Sequence, residues 1–127
     1  MGELAAEDYR QDCNCSQCVL RAVEKNYQFN LPEEALCLCQ GVGHGFGIGG
    51  ICSGIVAGIM AFGLFFDEST VKRLRIKLLN VFFERYGSIQ CGELENAGKC
   101  DEMIEDMAEQ IIGFIDEELQ CRRSWFS

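Results

Sequence analysis

The chain has 127 residues, 48% of them hydrophobic, which is enough for one domain with a hydrophobic core and too apolar for a disordered tail. Its formal net charge of −9 argues against binding to nucleic acids or anionic membrane surfaces, because both need clustered lysine and arginine. The acidic start of the chain has no secretory signal pattern, which predicts a cytoplasmic location. In a reducing cytoplasm, nine cysteines indicate metal binding or redox catalysis rather than a disulfide framework.

Helical patterns begin early in the chain, where residues 4–9 can form one or two turns. Asn14 and Gln17 have the spacing of a capping box and predict the start of a longer helix. Apolar residues then recur at the spacing of one helix face, at Val19, Leu20, Val23 and Tyr27. Pro32 predicts the start of a second, short helix that stops at Gly41. This second helix is expected to carry Leu36, Cys37 and Cys39.

A glycine-rich run over residues 41–50 leads through Cys52 into an apolar helix predicted over residues 55–66. The GxxxG spacing of Gly50, Gly54 and Gly58 also occurs in membrane helices, but roughly a dozen convincing helical residues are too few to span a bilayer. The small residues therefore predict a buried helix that packs closely against its neighbours. The GxGxxG match at residues 45–50 lacks the preceding strand that dinucleotide binding requires.

The second half of the chain predicts two longer helices. The first covers residues 71–86 and ends at Gly87, and the second covers residues 101–119. Cys91 is expected in or beside a short turn between them. The whole chain, residues 1–127, is therefore predicted to be a single all-α domain, a bundle of about five helices with a glycine-rich loop leading into a buried apolar helix.

Several cysteines stand where helices start, and a helix N-terminus favours the thiolate form. Cys15 and Cys18 form a CxxC that suits either a dithiol or two metal ligands, and Cys18 suits a buried apolar position equally well. Cys37 and Cys39 are expected to point apart, and Cys121 is expected at the surface or in a packed tail. His44, the one histidine of the chain, is expected to be a polar surface residue.

The order of these motifs resembles the C_GCAxxG_C_C family of redox-active proteins over about residues 13–115. The motifs that carry the resemblance are Asn14-Cys15-Ser16-Gln17, the glycine run ending at Cys52-Ser53-Gly54, Cys91 after Tyr86-Gly87, and Cys100 after Lys99. The family's Cys-Gly-Ala-x-x-Gly reads Cys-Ser-Gly-x-x-Ala at residues 52–57 of this chain. The cysteines outside the family pattern are Cys13, Cys18, Cys37, Cys39 and Cys121.

This resemblance implies a small, mainly helical redox protein of prokaryotes. A similar cysteine module accompanies haem in split-Soret cytochromes, which implies an iron–sulfur centre by analogy. On this basis the iron–sulfur cluster is expected to transfer electrons to a redox partner protein. The predicted ligands, expected to converge at one end of the bundle, are Cys15, Cys52, Cys91 and Cys100. The backbone of Gly47, Gly49 and Gly50 is expected to direct N–H groups toward the cluster.

Other interpretations of the same residues stay open at this point. Cys52 could act with Cys15 or Cys100 as a thiol–disulfide oxidoreductase, or the four family cysteines could hold a structural zinc ion. The chain could also be a helical interaction module with buried cysteines and no chemistry. The glycine-rich helix and the aromatic C-terminus are compatible with a homodimer.

Overall fold

The computed structural model describes residues 14–43, 45–96 and 100–126. These ranges contain six α-helices and one π-helical turn, and no strand, which confirms the all-α class. The helices are α1 (Cys15–Tyr27), α2 (Glu33–Cys37), α3 (Ser53–Phe65), α4 (Glu68–Tyr86), α5 (Cys91–Asn96) and α6 (Cys100–Phe126), with the π-helical turn at Gly45–Gly49. The turns predicted over residues 4–9 lie outside the described residues.

The start of α1 is the predicted capping box. The Asn14 side chain accepts a hydrogen bond from the Gln17 backbone N–H at 3.0 Å, and the Gln17 side chain accepts one from the Asn14 N–H at 3.1 Å. Two N–H groups that have no partner within the helix are thereby satisfied. The helix ends at Gln28, which adopts the left-handed conformation with φ of 57°.

The ends of α4 also follow local sequence signals. The Asp67 side chain accepts from the Thr70 N–H at the start of the helix, and Gly87 adopts the left-handed conformation at its end. Both are features that the sequence predicts for a helix boundary. The helix therefore matches its predicted end and starts three residues before its predicted start.

One local prediction is wrong. Helix α2 ends at Cys37, so that Cys39 lies in a series of tight turns, because successive N–H groups bond three residues back instead of four. Cys91 is the first residue of the short helix α5, directly beside the non-helical residues 87–90, as one half of its prediction allows. The N–H of Cys91 bonds to the Gly50 carbonyl, a contact from a distant segment that local sequence does not reveal.

Helix α3 is the centre of the bundle and packs against α1, α4 and α6. Its glycines allow this close approach, because Gly54 lies against Met107 and Val19, and Gly58 lies against Ile111. A Cβ atom at Gly58 would be 2.5 Å from the Ile111 Cδ1 atom. The predicted buried apolar helix is thus confirmed, and in the described ranges no helix has both the length and the apolar character to cross a membrane.

Candidate functional site

Cys15 lies at the start of α1, where the capping box holds the first turn in place. Its partly buried side chain packs against a small core cluster that Cys18, Ala22, Ile104 and Ala108 form between α1 and α6. Cys18 is fully buried, one turn further along the same helix. The spacing of three residues places the two cysteines on one side of α1.

Cys52 lies at the N-cap of α3, and its side chain makes no capping hydrogen bond. The Cys52 N–H donates to the Ile89 carbonyl at 2.8 Å, and the Cys91 N–H donates to the Gly50 carbonyl at 2.6 Å. Between these two bonds, Ile51 and Gln90 form an isolated antiparallel bridge. The backbone thus ties the segment before α3 to the segment before α5, and both cysteines are buried there.

The side chains of these cysteines act on one another. The pKa of the Cys15 thiol is raised far above its ordinary value, first by a hydrogen bond with Cys52 and then by burial. The negative charges that Cys52, Cys18 and Cys91 would carry as thiolates raise the pKa further. Three of the four family cysteines therefore share one buried neighbourhood, to which Cys18 also belongs.

Cys18 was not among the four predicted ligands, although the CxxC spacing indicates its proximity to Cys15. Its burial fits the apolar role that the sequence also allows, and Cys15 packs against the core cluster that contains it. The signal that identifies it is the position one turn after a site cysteine on the same helix.

The fourth family cysteine, Cys100, is the first residue of α6, but its side chain lies outside the described part of the structure. Cys13 and His44 also lie outside the described residues. Within the described ranges, no group of three or more Cys, His, Asp or Glu side chains is arranged to hold a single metal ion.

The predicted glycine loop is a π-helical turn with an unusual backbone. Gly45, Gly47 and Gly49 all have positive φ values, as does Phe46 at 63°. The Gly50 N–H donates to the Gly45 carbonyl at 3.0 Å, so this N–H is used within the turn. A Cβ atom at Gly45 would collide with the Gly50 backbone, which explains why glycine is needed there.

The polar side chains next to the site cysteines in the chain differ in whether they have hydrogen-bond partners. Asn14 Nδ2 donates to the Cys39 carbonyl at 2.8 Å, and the Ser16 hydroxyl donates to the Asn14 side chain. By contrast, the hydroxyl of Ser53, next to Cys52, is buried and has no hydrogen-bond partner in the structure. A buried hydroxyl without a partner costs about 1–3 kcal/mol, so its position beside a site cysteine needs an explanation.

The remaining described cysteines lie outside this neighbourhood. Cys37 is exposed, whereas Cys39 is buried and its thiol lies 3.7 Å from the Ala35 carbonyl, so the CxC side chains do point apart. Cys121 is exposed, which agrees with the predicted surface position and not with a packed tail.

Comparisons with known proteins complete the description of the site. A family model described as "Putative redox-active protein (C_GCAxxG_C_C)" matches residues 13–113. The match begins two residues before Cys15 and includes every cysteine of the predicted ligand set. No curated protein and no solved structure matches the chain.

Proposed function

The chain belongs to the C_GCAxxG_C_C family, and from this membership we propose that it is an electron-transfer protein whose family cysteines bind an iron–sulfur cluster. The proposed ligands are Cys15, Cys52, Cys91 and Cys100. One observation carries the proposal: cysteines from three distant segments meet in one buried place and oppose ionisation of Cys15.

A buried group of thiolates is unfavourable, because like charges repel and burial removes their hydration. A metal centre reverses this balance, since its positive charge deprotonates coordinating thiols. Sulfur ligands without histidine or carboxylate among the proposed set suit iron–sulfur chemistry. The donor set therefore fits the proposed cluster chemically.

The buried hydroxyl of Ser53 supports the same proposal. It is a hydrogen-bond donor with no partner in the structure, directly after Cys52 in the chain. Sulfur atoms of a bound cluster accept hydrogen bonds, and such bonds raise the reduction potential. A cluster beside Cys52 would therefore give Ser53 the acceptor that it lacks.

The cluster, when bound, would supply a centre that gains and loses one electron. The chain's own residues hold the sulfurs and exclude water, because Cys52 and Cys91 are buried and fixed by backbone hydrogen bonds. Three of the proposed ligands are the first residue of a helix, and Cys52 is an N-cap, so all four stand at positive ends of helix dipoles. These positions favour the thiolate form of each ligand.

A structural zinc ion has less support than a cluster. A single zinc ion needs four ligands, each sulfur at about 2.3 Å from the metal. The described residues form no group of three that meets such a requirement. Four sulfurs that bind different irons of one cluster can lie further apart than four sulfurs around one ion.

A second candidate function is dithiol redox chemistry, which the hydrogen bond between Cys15 and Cys52 favours. Oxidation would form one sulfur–sulfur bond from two thiols and release two protons, with two electrons passing to an acceptor such as a small disulfide. Burial of Cys52 restricts the acceptor to a small molecule unless the site opens. A cytoplasmic location suits both candidates, because thiols remain reduced there.

Anaerobic purification of the protein tests these proposals. We expect a coloured protein with a broad visible absorption band and iron and acid-labile sulfide in stoichiometric amounts. Cys52→Ser should lose the colour and most of the iron, whereas Cys37→Ser is the matched control because Cys37 is exposed and outside the family pattern. Iron and acid-labile sulfide are both measured on the same samples of each variant.

The opposite results separate the alternatives. A colourless protein that also fails cluster reconstitution contradicts the cluster and leaves dithiol chemistry, which thiol counting before and after oxidation then tests. One zinc per chain without sulfide would establish the structural site. Equal iron content in Cys52→Ser and Cys37→Ser would show that the centre has been assigned to the wrong cysteines.

A further inference from the structure

We propose that Phe46, Ile48 and Ile51, which we call the loop patch, dock a redox partner protein whose apolar contact face is bordered by lysine or arginine. The inference rests on the proposed function, because a redox centre needs a partner that approaches it closely. It goes further by naming the surface at which the partner binds and the chemistry of that partner.

The loop patch is apolar and turned toward solvent. The exposed fractions are 54% for Phe46, 86% for Ile48 and 43% for Ile51, and all three lie within six residues of the chain. Large exposed apolar side chains that lie close together in the chain are candidates for an interaction site. Burial of such a cluster in a contact would provide the main favourable energy of binding.

The loop patch lies on the segment that carries the site. Ile51 directly precedes Cys52 and forms the bridge to Gln90, which directly precedes Cys91. The π-helical turn also packs against the start of α5, where Gly49 lies close to Gly92. Because Cys52 and Cys91 are buried and lie next to these paired residues in the chain, a partner seated on the loop patch would contact the segment that carries them.

The turn that carries the loop patch has an unusual backbone conformation. Phe46 has a φ of 63°, a conformation that is unfavourable for a residue with a side chain, and its ring is nevertheless half exposed. The Gly50 N–H bonds back to the Gly45 carbonyl, so the turn is closed by its own backbone.

Charge favours a basic partner over a second copy of this chain. Glu93, an exposed residue, follows Gly92, which touches the turn. The chain carries a formal net charge of −9, so two copies meeting at the same patch would repel. A partner with basic residues around its contact face would instead be attracted, more strongly at low salt.

A single-haem c-type cytochrome with lysines around its exposed haem edge is the probe for the test. Its binding to the protein is measured by calorimetry at low salt, and its reduction by the reduced protein is measured by stopped-flow absorbance. Ile48→Ser should weaken binding by roughly tenfold, the size expected for a central apolar contact. Glu93→Gln should slow association by a few-fold, and added salt should weaken binding by the parent.

Ile76→Ser and Glu84→Gln are the matched controls, since Ile76 is 57% exposed on α4 and Glu84 is an exposed acid on the same helix. Equal weakening by Ile48→Ser and Ile76→Ser, or no binding of the cytochrome to the parent, overturns the proposal. A parent dimer that Ile48→Ser converts to monomer in sedimentation velocity also overturns it, because the patch would then bind a second copy.

Measuring binding and electron transfer separately distinguishes failure of the docking surface from failure of the proposed redox function. If the cytochrome binds and Ile48→Ser weakens binding, but no electron is transferred, the docking surface stands and the proposed redox function fails. If electrons are transferred at equal rates by the parent, Ile48→Ser and Ile76→Ser, the redox function stands and the docking surface fails.

Discussion

Cys15 illustrates how tertiary contacts decide the chemistry of a cysteine. A helix N-terminus alone would favour its thiolate, yet the pKa of this thiol is raised by the hydrogen bond with Cys52, by burial and by the nearby cysteines. Without a metal ion, the site therefore holds Cys15 in its protonated form. The proposed metal centre would therefore have to displace this proton in order to bind Cys15.

The raised pKa predicts how the stability of the metal-free reduced protein depends on pH. An unfolded Cys15 ionises around its ordinary pKa of 9.0, whereas the folded thiol keeps its proton above this value. The folded state thus binds more protons in alkali, so the free energy of unfolding falls as pH rises above 9.0. Below that pH the contribution of Cys15 to stability is fully present.

Urea unfolding of the metal-free protein at several pH values between about 7.5 and 9.5 measures this effect. Cys15→Ala should flatten the alkaline fall, and Cys37→Ala should leave it unchanged. Tyr27 and Tyr86, whose pKa values are also raised by burial and by hydrogen bonds to Asp116 and Asp106, add a similar fall at higher pH. An alkaline fall that is as steep in Cys15→Ala as in the parent would contradict the prediction.

Helix α3 shows how small residues set the packing of an entire element. Gly58 lies against Ile111, and a Cβ atom there would be 2.8 Å from the Ile111 Cγ1 atom and 3.2 Å from a Leu78 methyl group. Gly63, on the same helix, has open space around it. The two glycines are thus a matched pair that separates packing from helix propensity.

Gly58→Ala should lower the free energy of unfolding by about 1–3 kcal/mol, because Ile111 is β-branched and cannot move its Cγ1 atom away easily. Gly63→Ala should raise it by up to about 1 kcal/mol, because alanine is the better helix former. Chemical denaturation of both variants provides the comparison. Similar changes of the same sign would mean that α3 is not packed as closely as the structure shows.

Across the whole molecule, ion pairs join the acidic helix α6 to the basic helix α4. Arg73 on α4 forms an ion pair with Glu118 on α6 at 2.6 Å, and Arg85 pairs with Asp106 at 2.6 Å. Arg122 lies near Glu118 and stacks over the Phe66 ring. The opposed charges of the two helices are therefore paired at least partly within the chain.

The lowered pKa of Glu118 predicts that the free energy of unfolding falls in acid. The hydrogen bond from Arg73 lowers the pKa of Glu118 below its ordinary value of 4.5, so its stabilising effect is present above pH 4.5 and is lost as pH falls through the lower folded pKa. Glu118→Gln should cost up to about 1 kcal/mol near neutral pH and nothing in strong acid. Glu117→Gln, at an exposed neighbouring position, is the control in urea unfolding at both pH values. An equal cost at both pH values would show that packing, not charge, holds Glu118.

Much of the secondary structure was predictable because its signals are local. The capping box at Asn14, the cap at Asp67 and the glycine stop at Gly87 each depend on residues within one turn. Helix α5, the π-helical turn and the position of Cys39 were not predicted correctly in detail. The start of α5 depends on pairing between residues 50–52 and 89–91, which are far apart in sequence, whereas Cys39 is placed by bonds to residues three positions back that the helix signals did not reveal.

The sequence by itself determined the helical class, the start of α1, the end of α4, the buried character of α3 and the family with its cysteine pattern, whereas α6 extends seven residues beyond its predicted end. Only the tertiary structure decided that Cys15, Cys52 and Cys91 share one neighbourhood, that Cys18 joins them, and that Phe46, Ile48 and Ile51 are exposed beside it. The reason is physical: helix formation and capping depend on near neighbours in the chain. The pKa of a thiol and the exposure of a side chain depend on whichever distant segments fold against them.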